Sequence, residues 1–258
     1  MARIHLFEFE DQPWFPKFLR NYGTDFLQFL ANKTAMFKPV VPMLANALNH
    51  NHLNHIIDLG SGGGGGLLGI SEALRDIVPG FKITLTDYYP NLEAFRNMAS
   101  QSSVINYIDK PIDALYVPEN IGGVRTMFLS FHHFRPQQAK QILQNAVDTN
   151  KPIAIFEGQE RSLPCILAML FSPVTVLLTT PFIRPVDIGR LIFTYLIPIV
   201  PLFVLWDGVV SALRTYSVKE MNALVGKVKD SETYDWKIGK MKSGPSVVLY
   251  LVGEPKVS

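Results

Sequence analysis

Ile56-Ile57-Asp58-Leu59-Gly60-Ser61-Gly62-Gly63-Gly64-Gly65-Gly66 decides how this 258-residue chain is read. An apolar run reaches an acid, passes into a loop made almost wholly of glycine, and meets a helical pattern starting at Leu67. Glycine lets the backbone turn sharply and approach a ligand closely, and the N-terminus of the following helix presents free N–H groups. Gly60, Gly62 and Gly65 also satisfy the dinucleotide spacing G-x-G-x-x-G, which by itself does not separate one nucleotide ligand from another. A second signal follows in Thr84-Leu85-Thr86-Asp87, which ends in a carboxylate 23 residues past Gly64 with Tyr88 beside it. An acid at the end of a second strand is placed to meet ribose hydroxyls.

Outward from the loop, short and continuously apolar runs lie at His55–Leu59, Lys82–Thr86, Ser103–Tyr107, Thr126–Phe131 and Ile153–Glu157. Helical patterns at Leu67–Ile77, Leu92–Met98 and Gln137–Val147 separate them. Strands of this kind are covered on both faces, as in a parallel sheet with crossover helices. Ser217-Val218-Lys219-Glu220 is a capping box that opens a helix to about Val228. Tyr234–Lys242 and Ser246–Gly253, joined by Ser243-Gly244-Pro245, read as an antiparallel hairpin. The expected fold is therefore α/β: a Rossmann-like, doubly wound, mostly parallel seven-stranded sheet with an antiparallel C-terminal hairpin. Residues 1–54, rich in aromatics, form an N-terminal helical cap, and residues 55–258 form the core with an apolar insertion at 161–214.

In this order the residues resemble class I S-adenosylmethionine-dependent methyltransferases. Asp58-Leu59-Gly60-Ser61-Gly62-Gly63-Gly64 resembles that family's acid-x-Gly-x-Gly-x-Gly motif, and Asp87 resembles its ribose-binding acid. Asp113-Ala114 lies where an Asp near the adenine amino group is usual, and Ser130-Phe131-His132-His133-Phe134 resembles the segment facing the methyl group. The resemblance covers residues 55–160 and 215–253. It implies S-adenosyl-L-methionine as cofactor, held by Asp58, Gly60, Ser61, Gly62, Gly64, Asp87, Tyr88, Asp113, Ala114 and Ser130, and an acceptor chosen by the regions outside the shared core. The extra glycines after Gly64 depart from the family pattern.

A nicotinamide oxidoreductase would also use a glycine loop, but it needs a second parallel mononucleotide half, and this chain ends in a hairpin. Asp58 also suits the methionine ammonium better than a pyrophosphate, because like charges repel. A membrane-associated protein that binds the cofactor without catalysis is a third reading. His132 and His133 follow the fourth strand, where a neutral imidazole could take a proton from a hydroxyl or phenol, with His133 slightly favoured; the alternative is that they shape the cleft or cap the next helix. His50, His52 and His55 match no established ligand spacing and read as a polar loop, so no metal is expected. Glu8, Glu10, Asp11 and Trp14 form an acidic–aromatic cluster that either lines a pocket or caps the fold with solvated acids.

Composition narrows the function classes. The chain is 48% hydrophobic and 18% charged, with mean hydropathy +0.16, which excludes intrinsic disorder. A net charge of +2 provides no basic face for nucleic acid. Cys165 alone excludes a disulfide framework and fits a reducing compartment. Glu8 and Glu10 precede any apolar core, so the N-terminus does not read as a secretory signal, and a cytoplasmic protein, or one peripheral or integral at a membrane's inner face, is expected.

Charge is distributed unevenly. Residues 162–206 hold three charges, Arg184, Asp187 and Arg190, and Ser162–Ile183 is a charge-free run of 22. A spanning hairpin is disfavoured, because Leu191–Trp206 is only 16 residues and six prolines interrupt the segment. A lid over the pocket of a small hydrophobic acceptor comes first, a peripheral membrane contact second, and a homodimer interface is a further reading. Gly208 reads as a turn, and Asp207 with Arg214 as a structural ion pair.

Overall fold

The computed structural model describes residues 1–244 and 246–256. Helices α1 (Lys17–Lys33) and α2 (Val41–His50) precede β1 (His55–Leu59). Then come α3 (Leu67–Arg75), β2 (Lys82–Thr86), α4 (Leu92–Gln101), β3 (Ile105–Tyr107), β4 (Val124–Phe128), α5 (Pro136–Asp148) and β5 (Ile153–Glu157). The insertion contains α6 (Leu163–Leu170), α7 (Ser172–Thr179), the single turn α8 (Ile188–Leu191) and α9 (Ile199–Arg214). Helix α10 (Val218–Val225) and strands β6 (Tyr234–Ser243) and β7 (Ser246–Pro255) follow.

Among the described residues, seven strands form one sheet in the order β3-β2-β1-β4-β5-β7-β6. β1 to β5 are parallel, β7 runs antiparallel to β5, and β6 runs antiparallel to β7. This is the expected fold class. One face of the sheet packs Leu44 and Leu48 of α2, Ile70 and Leu74 of α3, and Phe95 and Met98 of α4. The other packs Ile142 and Leu143 of α5 and Met221 and Leu224 of α10. Strand order reverses between β1 and β4, so the loops leaving these two strands diverge and open a crevice at the carboxyl edge. The glycine loop follows β1, and Ser130-Phe131-His132-His133 follows β4.

Several boundaries differ from the sequence expectation for local reasons. β4 starts at Val124, after Gly123 at φ 136°, and ends before Leu129 at φ 52° turns the chain out of the sheet. Phe131–His133 is consequently a 3-10 turn and not strand. β3 begins at Ile105, and the last helix ends at Val225, ahead of Gly226. In the hairpin turn, Pro245 lies outside the described residues.

The N-terminal region divides in two. Residues 1–16 carry no helix and run as a strap over α9, with Ile4 N–H donating to Leu213 O at 3.2 Å. α1 packs Leu19, Tyr22 and Phe26 against Val176 of α7 and Val200, Phe203 and Val204 of α9. The insertion's prolines mostly start helices: Pro164 and Pro173 lie in the first turns of α6 and α7, where the missing N–H has no intrahelical partner to lose. No single helix is long and apolar enough to cross a membrane among the described residues.

Gly123 tests how β4 is seated. A Cβ there would lie 2.7 Å from the His55 carbonyl oxygen, on a backbone with φ 136°. Gly123→Ala should lower unfolding free energy by roughly 2–3 kcal/mol in urea denaturation. An unchanged midpoint would contradict the close approach of β4 to β1.

Candidate active site

The glycine loop is built on backbone conformations that other residues rarely adopt. Gly60, Gly62, Gly64 and Gly65 have φ of 66°, 53°, 88° and 44°. Ser61 fastens the loop to the sheet: its N–H donates to Thr86 O at 2.9 Å, and its Oγ accepts from Thr86 N–H at 3.1 Å. Three elements close around it. A Cβ on Gly63 would meet Thr24 of α1 at 3.2 Å, one on Gly64 would meet Met98 of α4 at 2.9 Å, and one on Gly60 would meet Ser130 at 3.2 Å. At Gly62 and Gly65, by contrast, an added Cβ would meet nothing within 4 Å.

Asp87 borders that open side. Its Oδ2 accepts from Gly62 N–H at 2.8 Å and its Oδ1 from Tyr89 N–H at 2.8 Å, which clasps the loop to the end of β2. The Asp87 carbonyl accepts from Ile112 N–H at 2.9 Å and draws Asp113 and Ala114 to the same edge. Asp113 Oδ1 accepts from Leu115 N–H at 2.9 Å, Ala114 is buried, and Tyr88 is exposed beside Tyr89. The structure therefore brings Gly60, Ser61, Gly62, Gly64, Asp87, Tyr88, Asp113, Ala114 and Ser130 to one edge. Asp58 differs. Its carboxylate is buried under the loop and accepts from Thr126 Oγ at 2.7 Å. Burial, opposed by hydrogen bonds from Thr126 and Ser61, pushes its pKa up to about 7.

The histidines belong to a polar network that joins β4, β5, α9 and the strap, buried at Glu8, His132, Glu157 and Arg214 and partly exposed at His133 and Asp11. Glu157 at the end of β5 accepts His132 N–H on Oε1 and faces His132 Nδ1 from Oε2, both at 2.9 Å. His132 Nε2 is buried without a hydrogen-bond partner, 3.9 Å from Glu8 Oε1. His133 Nδ1 lies 2.8 Å from Asp11 Oδ1 and 3.2 Å from Glu8 Oε2. Burial lowers the His133 pKa, but Glu8, Asp11 and Glu10 outweigh it and raise the value to about 10. His133 is thus an imidazolium at neutral pH. Burial raises Asp11, but His133 and Arg214 outweigh it and hold its carboxyl below the usual range.

Arg214 lies at the centre of the acids. Its Nη1 is 3.2 Å from Glu8 Oε1 and 2.5 Å from Asp11 Oδ2. Glu8, His132 and His133 bring donor atoms within 4.8 Å of one another, a grouping that could hold a metal ion, but Arg214 already supplies the positive charge there. Asp207 does not pair with Arg214: seven residues of helix separate them by about 10 Å along the axis. Asp207 instead accepts Phe9 N–H at 2.8 Å and Glu10 N–H at 3.1 Å, so both residues hold the strap. Gly208 is not a turn but lies within α9, where a Cβ would stand 3.2 Å from Met169 of α6. Glu8 is buried in the network and Trp14 is exposed, so the acidic–aromatic cluster is split between the two readings.

Arg3, Glu157, Gln159 and Ser211 escaped the sequence reading. Arg3 donates to His132 O and Phe134 O at 3.0 and 2.9 Å, Gln159 to Glu157 at 3.3 Å, and Ser211 to Glu8 at 3.2 Å. Only Glu157 carried a signal, as a charge closing a fully buried apolar strand. His50 and His55 pair with Glu254 and Thr84 at the opposite edge of the sheet, where a concavity of about 900 Å³ is a broad depression far from the glycine loop.

No protein-family model matches the chain, and no curated protein sequence matches it. Among solved structures it resembles the methyltransferase domain of a bacterial Hen1, with a TM-score of 0.51 and 14% identity over 85% of this chain and 99% of that one. It also resembles PigF with SAH, with a TM-score of 0.50 and 18% identity over 95% of this chain and 63% of that one. Mitomycin 7-O-methyltransferase MmcR gives a TM-score of 0.49 at 15% identity, over 88% of this chain and 54% of that one, so this chain spans just over half that enzyme's length. At such identities the likeness defines the fold, which is that of the class I methyltransferases.

Asp58 gives the site a pH signature. It binds its proton more tightly folded than unfolded, so its contribution to stability declines as pH rises from about 4 through 7. In Asp58→Asn that decline is gone, and melting temperature should fall less between pH 5 and pH 8 than in the unaltered protein. Parallel pH profiles for the two proteins in calorimetry would contradict an ionisable group buried at this position.

Proposed function

We propose that this protein is an S-adenosyl-L-methionine-dependent methyltransferase acting on a small hydrophobic or lipid-like acceptor. The observation that carries the reading is the clasp of Asp87 on Gly62 N–H at 2.8 Å beside the open space at Gly62 and Gly65. A carboxylate with lone pairs to spare at the end of β2 suits ribose hydroxyls, and a bare glycine backbone suits close approach of a nucleoside. The antiparallel β7 and β6 leave no second parallel half for a dinucleotide.

S-adenosylmethionine supplies an electrophilic methyl on a sulfonium, which needs no metal or further activation. Gly60, Ser61, Gly62 and Gly64 with Asp87, Asp113 and Ala114 would hold it, with Ser130 and Tyr88 at the margins. Asp58 supports the loop from beneath.

For a hydroxyl or phenol acceptor, the geometry favours His132 over His133 as the base. Glu157 orients its Nδ1, and Nε2, which has no hydrogen-bond partner, would accept the proton of the acceptor hydroxyl when the sulfonium gives up its methyl to the oxygen. Glu157 and Glu8 then flank the resulting imidazolium. His133 already carries its proton, held by Asp11 and Glu8. Its charge and that of Arg214 hold the strap against α9 and the turn after β4.

A labelled-methyl assay on fractionated lipid and small-molecule extracts tests the activity. Label should enter an organic-soluble fraction; transfer to none would overturn the reading. Asp87→Ala should weaken S-adenosylmethionine binding at least about tenfold while the fold is kept. His132→Ala should cut turnover on the identified acceptor about 100-fold or more at unchanged cofactor affinity. Near-normal turnover would exclude His132 as base.

A further inference from the structure

The insertion leaves an apolar surface that the proposed methyl transfer does not explain. Sixteen large apolar side chains between Leu163 and Trp206 are exposed, including Leu170, Phe171, Leu178, Phe182, Ile188 and Leu196. None of the eight residues of α6 is buried. Contiguous apolar patches on soluble monomers seldom exceed a few hundred Å², so this face needs an occupant.

Its charges indicate which one. Asp187 and Arg190 are used within the fold: Asp187 accepts from Tyr22 OH and Arg190 N–H at 3.2 and 3.0 Å, and Arg190 pairs with Asp25 at 2.6 Å. Arg184 remains exposed between Phe182 and Val186, at the break between α7 and α8. A second copy of this face would offer that guanidinium no exposed acid of the 162–206 segment, whereas an anionic headgroup would complement it, with its stem lying along the apolar flank. Phe7, Trp14 and Trp206 add exposed aromatic rings near the strap, and Trp206 donates to Phe7 O at 2.9 Å. Such rings favour the headgroup level of a bilayer. The helices suit lying in this interface and not crossing it: α6 with α7, and α8 with α9, are apolar enough in composition but bend by 45° and 80°.

We propose that the outer face of α6 to α9 docks on the surface of an anionic phospholipid bilayer, dipping into one leaflet. The opposite side of α9 carries Asp207, Ser211 and Arg214 into the polar network, so one helix joins the bilayer face to the candidate site. This docking stands independently of methyl transfer.

Vesicle flotation tests it, using phosphatidylcholine vesicles with and without phosphatidylglycerol. The unaltered protein should float with the anionic vesicles. A variant carrying Phe171→Ser, Leu178→Ser and Phe182→Ser should float at least about tenfold less. Arg184→Glu should lose more binding on anionic than on neutral vesicles. Unaltered circular dichroism and S-adenosylmethionine calorimetry would show that the variants fold and keep the other site. Two results would overturn the proposal: no flotation of the unaltered protein, or a stable dimer in light scattering that the triple variant dissociates while vesicles capture neither form.

Discussion

The chain must leave the buried strand β1 and become helix α3 while keeping its backbone bare at the crevice, and four glycines at positive φ meet that demand. Every other feature of the candidate cofactor site is arranged around this loop. Asp87 pins it from β2, Ser61 from within, Ser130 from β4, and Thr24 covers it from α1. A side chain at Gly64 would press on Met98, and at Gly60 on Ser130, so the run is not interchangeable with a merely flexible linker.

The second organising feature is electrostatic. Acids from the strap and from β5, the two histidines after β4, and Arg214 from α9 meet in one poorly solvated volume. Arg214 and His133 offset the charges of Glu8 and Asp11, and Glu157 is held by hydrogen bonds from His132 N–H and Gln159, as burial of ionised groups requires. The result is a division of labour between adjacent imidazoles. His133 is locked as a cation between carboxylates, and His132 is oriented by Glu157 with one nitrogen free. The same network fixes residues 3–11 without any secondary structure of their own.

What was legible in the sequence was local. β1, β2 and β5 could be bounded from their apolar runs, the capping box at Ser217 and Glu220 forms as spaced, and the terminal hairpin pairs as read. The core of the glycine–Asp87 constellation was legible because both lie at strand ends of a regular alternating fold. The polar network was not, because its partners are far apart in sequence: Arg3 and Arg214 are 211 positions apart, and Asp11 and His133 are 122 apart. Asp207 and Arg214 misled for a related reason. Two residues seven apart on a helix share a face, and here that face turns toward the strap, which takes both. Gly208 reads as a turn because nothing in the sequence shows that α6 crosses α9 closely enough to require it.

Titration calorimetry with S-adenosylmethionine, S-adenosylhomocysteine and NAD(H) tests the central claim most directly. The account predicts saturable binding of the first two and none of the third, with both affinities sharply reduced in Asp87→Ala. Binding of NAD(H) without S-adenosylmethionine would contradict it.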